Sequence, residues 1–305
     1  MLQLNRPDRA DIYIPDSGKI TSFGAALSRT SHLGIGAHQD DLEFMCAAGI
    51  LACHNNPAQW FGGVILTDGR GSARTGGYGE YSDLEMIEIR KNEQRAAAAI
   101  GGYSFVAQLG YLSSELKNPQ QLGAVRDIRN ILMITRPDIV YTHNPTDKHA
   151  THVAVTLRVI QALRELPEEM RPRKVYGCEV WRSLDWMPDK EKVTFNITSN
   201  GVLLQKLMGV YDSQIGGGKR YDSATMGRKK ANATYMDSHS VDFMDLAEYA
   251  MDLTPLMKSP ELDIADYACA CIRRFEDSVR ESIQMQSPAP TPAPVNAEAE
   301  SAPHA

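Results

Sequence analysis

From Leu33 onward, short runs of consecutive apolar residues alternate with longer stretches whose apolar positions recur at the helical period. Leu33 to Ala37 is followed by MCAAGILACHN, Gly63 to Thr67 by DLEMIEIRKNEQRAAAAIG, and Phe105 to Leu109 by QLGAVRDIRNILMITR. The strand-like DIVYTH then precedes HVAVTLRVIQALREL. Strands that alternate with helices predict an α/β fold: a mainly parallel sheet covered by helices on both faces, with its ligands at the carboxyl ends of the strands. After Lys174, the strand-like VYGCEVW and VTFNIT, a helix around Leu203 to Tyr211 and the glycine-rich GGGKRYDS predict an appended α/β region beside that core. The expected organisation is an extension over 1–30, one domain over 31–285 (core 31–175, appended region 176–285), and a tail over 286–305. The tail's SPAPTPAPVNAEAESAPHA lacks apolar periodicity and is expected to be disordered, because it cannot offset its ordering entropy.

Composition narrows the chemistry. With 43% hydrophobic and 23% charged residues the chain is an ordinary globular protein. A formal charge of -6 removes the basic footprint of a general nucleic-acid binder, so no nucleic-acid partner is expected. The five cysteines show no paired C-x-x-C spacing and read as reduced core thiols. The N-terminal residues carry charge and proline where a signal peptide needs an apolar run, and no stretch reaches the ~20 apolar residues of a membrane span. A cytoplasmic location is expected.

Two polar clusters sit where strands end. GIGAHQDDLEF brings His38, Asp40, Asp41 and Glu43 to the end of the first predicted strand. Imidazole and carboxylate are the nitrogen and oxygen ligands of zinc, although the same residues also suit a polar turn with Asp40 or Asp41 as helix N-cap. A dinucleotide loop fails, since the third glycine is missing and two acids would face the pyrophosphate. After DIVYTH comes NPTDKHATHVAV, so that His143, Asp147, His149 and His152 follow another strand end. His149 and His152 share a helical face at i,i+3, and the two clusters can meet across a parallel sheet. Together they offer three metal ligands and an open position.

AHQDDLE resembles the A-H-P-D-D-x-E signature of the LmbE-like, or PIG-L, de-N-acetylase family, and HNPTDKHATH resembles its second signature, which ends in H-x-D-H. LTDGRGS and the R-x-x-E helix IRKNEQRAAAAIGG add two ordered matches, and VYGCEVW, KLMGVYDSQ and GRKKANATYMDSH match more loosely. The resemblance implies a Rossmann-like core and zinc-dependent hydrolysis of an acetamide on an N-acetylglucosamine-type sugar or glycoconjugate. It implies His38, Asp41 and His152 as ligands of Zn2+ or another divalent metal, Asp40 as general base, and His149 as donor to the oxyanion or the departing amine. It also implies Arg90 as a substrate contact, with an i,i+3 salt bridge to Glu93 as the plainer alternative. Glu43 reads either as an orienter of a ligand or as a first-turn acid complementing the helix dipole.

Two departures qualify the match. Gln39 replaces a proline and should change only loop stiffness. Thr151 stands where the second signature has aspartate, an acid expected to fix the catalytic histidine's tautomer, and Asp147 is the available substitute. The expected partner is a small acetylated sugar, with the rim of its pocket at Asp68 to Tyr81 and Gly216 to Tyr221, and a homo-oligomer stays open. An amidase acting on a non-sugar N-acyl substrate and a metal-binding inactive homologue remain as alternatives, the second disfavoured by the presence of Asp40.

Overall fold

The apolar runs pair into an eight-stranded sheet, in a computed structural model that describes residues 2–288 apart from Ser17, Lys19 and Thr21. The strands are β1 (Asp11–Tyr13), β2 (His32–Gly36), β3 (Phe61–Thr67), β4 (Phe105–Tyr111), β5 (Ile139–His143), β6 (Lys174–Cys178), β7 (Lys192–Asn196) and β8 (Ala247–Asp252), in the order β1-β4-β3-β2-β5-β6-β8-β7. β4, β3, β2, β5 and β6 run parallel, and β1, β8 and β7 add antiparallel pairs at the two edges. The chain walks outward from β2 through β3 to β4, then returns to β5 on the other side of β2. That reversal opens a crevice beyond the carboxyl ends of β2 and β5, where doubly wound sheets bind their ligands.

Every residue of β2, β3 and β4 is buried, as two covered faces require. Leu33, Ile35, Val64, Leu66, Phe105 and Ala107 pack on one face with the helices Gly123–Thr135 and Ala150–Arg164. Ile65 and Val106 pack on the other, with Ala47–Cys53, Asp83–Gly101 and Gly201–Met208. The helix Asp83–Gly101 begins at a capping box, Ser82 with Glu85, and ends at Gly102 in the left-handed conformation. Its length carries Arg90, Glu93 and Gln94 toward the crevice.

Three features differ from the sequence reading. The predicted helix over MCAAGILACHN forms as Ala47–Cys53, and a separate short helix, Asp41–Met45, precedes it with a break at Cys46. In the appended region β6, β8 and β7 extend the core's sheet at its edge, and β8 is a strand that the sequence reading lacks. The extension over 1–30 supplies β1, which pairs with β4. From residue 289 the expected tail lies outside the described residues. Among those described, no helix is long and apolar enough to cross a membrane.

Candidate functional site

β2 ends at Gly36, and the chain turns at once over the strand ends. Asp41 fixes this turn: its Oδ2 accepts from the backbone N–H of Ala37 (3.0 Å) and of His38 (2.6 Å). Asp40, just before the helix, adopts φ 98°, a left-handed conformation that costs a non-glycine residue on the order of 1–3 kcal/mol. Neighbours hold it there. Its backbone N–H donates to Gln94 Oε1 (3.2 Å), and its carboxylate Oδ2 accepts from Arg90 Nη2 (2.9 Å).

Electron-rich atoms of three side chains converge behind this turn. His38 Nδ1 lies 3.2 Å from His152 Nε2 and 3.3 Å from Asp41 Oδ2, and His152 Nε2 lies 3.4 Å from Asp41 Oδ1. A tetrahedral zinc with bonds of about 2.0–2.2 Å separates its ligand atoms by about 3.3–3.6 Å, so the spacing fits that ion. The protonation pattern fits too. His152 Nδ1 faces Asp147 Oδ2 at 3.3 Å, which places the ring proton on Nδ1 and leaves Nε2 bare. Burial, opposed by the Asp41 charge, lowers the His152 pKa to about 4, and the neutral ring is the ligating form. Burial would raise Asp41, but His152 and His143 hold it well below the usual carboxylate range.

Two overlapping triads present donor atoms within 4.8 Å of one another: His38–His149–His152, and Asp41–His143–His152. His143 is fully buried and away from the cleft; its Nε2 sits 3.2 Å from Asp41 Oδ2 and 3.0 Å from the Ala37 nitrogen. It therefore steadies Asp41 from behind. His149 stands on the cleft side, its ring 5.0 Å from His38 and 6.1 Å from Trp181. The expected set of His38, Asp41 and His152 joins the two triads through His152.

The structure redistributes the supporting roles. Asp147 does not reach the His149 ring; it accepts from the His149 backbone N–H (3.0 Å) and the Trp181 N–H (3.2 Å), and orients His152. His149 Nδ1 has no partner among the described residues, and burial, with the His38 charge, lowers its pKa. Glu43 touches no ligand. Its carboxylate accepts from Tyr103 (2.7 Å), Tyr211 (2.5 Å) and Gln94 (3.0 Å), and Gln94 in turn holds the Asp40 backbone. Arg90 is 1% exposed, with Nη1 on Glu93 (2.8 Å) and Ser213 (3.3 Å), and Nη2 on the Gln39 carbonyl and Asp40. Both Nη groups thus serve the protein, and the Glu93 pair exists beside a second, to Asp40. Burial pushes the Asp40 carboxyl up to about 7 against the pull of Arg90, with the Asp41 charge adding to the rise.

The crevice is a cleft of about 1100 Å³. The Asp68 loop lines it, with Gly69 at φ 80°, where a Cβ would come 2.9 Å from Arg90 Cβ. So do Lys219 to Tyr221, and the two rims are tied together by Thr75 Oγ1 to Gly217 O (2.6 Å) and Tyr78 OH to Asp212 (2.6 Å). Phe44, Tyr221 and Trp181 form one wall, at centroid spacings of 5.6 Å and 5.7 Å. Tyr221 belongs to the expected rim, whereas Trp181, Tyr211 and Gln94 escaped the sequence reading as site residues; the loose matches at VYGCEVW and KLMGVYDSQ were the available signal for the first two.

The family model described as PIG-L, GlcNAc-PI de-N-acetylase, matches residues 33–163, a span that starts in β2 and contains every predicted site residue. Over that span the chain carries the sequence pattern of the PIG-L, or LmbE-like, de-N-acetylase family. A relative in Escherichia coli K12, named an uncharacterized deacetylase, is 28% identical over 150 residues, covering 48% of this chain and 75% of its own. Two solved structures share the fold. The N,N'-diacetylchitobiose deacetylase of Pyrococcus horikoshii aligns with a TM-score of 0.58 at 17% identity, over 74% of this chain and 85% of that one. The 4-carboxy-2-hydroxymuconate hydratase of Pseudomonas putida KT2440 aligns at 0.57 and 18%, over 73% and 96%. The PIG-L fold therefore carries more than one chemistry, and the reaction has to be argued from the site.

Proposed function

We propose that this chain hydrolyses the acetamide of an N-acetylglucosamine-type sugar or glycoconjugate, releasing acetate and a free amine, with a divalent metal, zinc by preference, held by His38, Asp41 and His152. The observation that carries the reading is the convergence of donor groups from those three side chains beside a second carboxylate, Asp40, that is held by Arg90 and lines the cleft. When bound, zinc would supply Lewis-acid activation of water and amide. The chain's own groups do the rest. Asp40 takes a proton from the attacking water at Oδ1, the oxygen that Arg90 leaves free. Arg90 and Gln94 hold Asp40 in its strained conformation, so its oxygen does not have to be positioned at the moment of reaction. His149, facing the same space, donates to the oxygen or nitrogen of the breaking amide. The C–N bond then breaks, with a proton delivered to the amine. Phe44, Tyr221 and Trp181 offer apolar faces of the kind on which the C–H faces of a sugar ring stack, which favours a sugar over an extended acyl substrate.

The test is amine release from a panel of N-acetylglucosamine derivatives and of non-sugar N-acetyl amines, with acetate quantified alongside. Asp40→Asn is expected to keep its metal and lose a factor on the order of 10² or more in kcat. No amine from any sugar, or full turnover by Asp40→Asn, sinks the proposal; loss of metal in that variant would instead make Asp40 a ligand.

A further inference from the structure

The whole chain is acidic, at 32 basic against 38 acidic residues, yet its cleft is not. Seven lysines and arginines line it, against three aspartates. Three of the seven are neutralised in place: Arg90 by Asp40 and Glu93, Arg70 by Asp68 (2.7 Å), and Arg220 by Asp222 (2.9 Å). The other four, Lys117, Lys148, Lys219 and Arg228, have no carboxylate within ion-pair distance among the described residues. They come from separate stretches of chain: the end of the helix Ser113–Lys117 beyond β4, the turn after β5, the loop before the helix Tyr221–Thr234, and that helix itself. Convergence of four unpaired like charges on one cleft, while acids dominate the rest of the surface, concentrates positive potential there and draws in an anion.

Their placement says where the anion would lie. Lys148 directly precedes His149 in the chain, and Lys219 Nζ sits 5.6 Å over the Trp181 ring, whose own plane stacks near His149. Arg228 is anchored by its Nη1 to the carbonyl of Val180, next to Trp181. The positive field thus borders the aromatic wall rather than the metal ligands. Lysines act as point charges toward phosphate and carboxylate alike, without the geometric selection of a free arginine fork.

We propose that the substrate carries a phosphate or carboxylate group on the part that remains with the amine product, and that Lys117, Lys148, Lys219 and Arg228 form the subsite that receives it. The inference rests on the deacetylase reading for its sugar, but the anion subsite can be tested without turnover. Three N-acetylglucosamine substrates are compared: the neutral methyl glycoside, the 1-phosphate, and a glycoside ending in a carboxymethyl group. A kcat/KM for at least one charged substrate higher by on the order of tenfold, shrinking as salt is raised, is expected. Lys148→Gln with Lys219→Gln should remove most of that advantage, lowering kcat/KM for the charged substrate far more than for the methyl glycoside, and the charged substrate that gains more identifies the group. In parallel, inorganic phosphate and glucosamine 1-phosphate are titrated against the metal-loaded protein by tryptophan emission, with Trp181→Phe as control and glucosamine as the neutral comparison. Salt-sensitive binding of both phosphates, absent in the double lysine variant, would uphold the subsite even if no acetamide were cleaved. Equal kcat/KM for neutral and charged substrates, with no salt dependence and no response to the lysine changes, would overturn it while leaving deacetylation standing.

Discussion

Asp147→Asn is the substitution that best separates the two arrangements in which His152 takes part. Asp147 Oδ2 faces His152 Nδ1 at 3.3 Å and accepts the Trp181 N–H at 3.2 Å, while Oδ1 accepts the His149 N–H at 3.0 Å. An asparagine keeps the shape but has one acceptor and one donor. If its oxygen stays on the His149 N–H, its amide points at His152 Nδ1 and at the Trp181 N–H. The ring must then shift its proton to Nε2, the atom needed for the metal. Flipped, it keeps the right tautomer but sets N–H against N–H at His149. Either way a partner is lost, and removing such an orienting group costs about 10–100-fold in metal affinity, or roughly 1.4–2.8 kcal/mol. Competition with a chromophoric zinc chelator measures this directly, and circular dichroism confirms the fold. His152→Ala should weaken binding far more, and His149→Ala much less than His38→Ala. The reasoning fails if Asp147→Asn binds zinc within about twofold of the unaltered protein while His149→Ala is as damaging as His152→Ala. That pattern would move the metal to His38, His149 and His152.

Two further outcomes follow from the buried charges. Arg90→Lys keeps the charge but cannot span Asp40 and Glu93 together, so kcat should fall by on the order of tenfold with KM nearly unchanged; a raised KM at constant kcat would make Arg90 a substrate contact instead. Lys229→Met strands Glu248, its partner at 2.7 Å in a fully buried pair, and should cost about 3–5 kcal/mol in urea unfolding, much of it restored by adding Glu248→Leu; a single variant as stable as the parent would refute the pairing energetics.

The parallel core was readable because strands covered on both faces must be apolar throughout, and HLGIG, FGGVILT and FVAQLGY nearly are. Edge strands obey no such rule. DIY in the edge strand β1 is only half-buried, and β8, though inside the sheet between β6 and β7, carries Glu248 in its interior, matched by Lys229 from a helix that no local pattern connects to it. The break at Cys46 is likewise invisible, since the residues on both sides are equally apolar.

The site divides along the same line. Ligand candidates were legible because histidine and aspartate clustered at two strand ends, and the order of β2 and β5 brings those ends together. What each residue touches was not, because the partners lie far away in sequence: Gln94 to Asp40 across 54 positions, Tyr211 to Glu43 across 168. The replacement at Thr151 shows the consequence. The sequence offered Asp147 as a stand-in orienter for His149, two residues away, yet the carboxylate faces the ring of His152 and leaves His149 Nδ1 without a partner among the described residues. A histidine in that state, with its pKa lowered by burial, holds a proton less firmly than one backed by an acid. In the proposed reaction, donation to the amide would then lean on the metal and on Asp40, which would concentrate the burden of this site on the turn after β2.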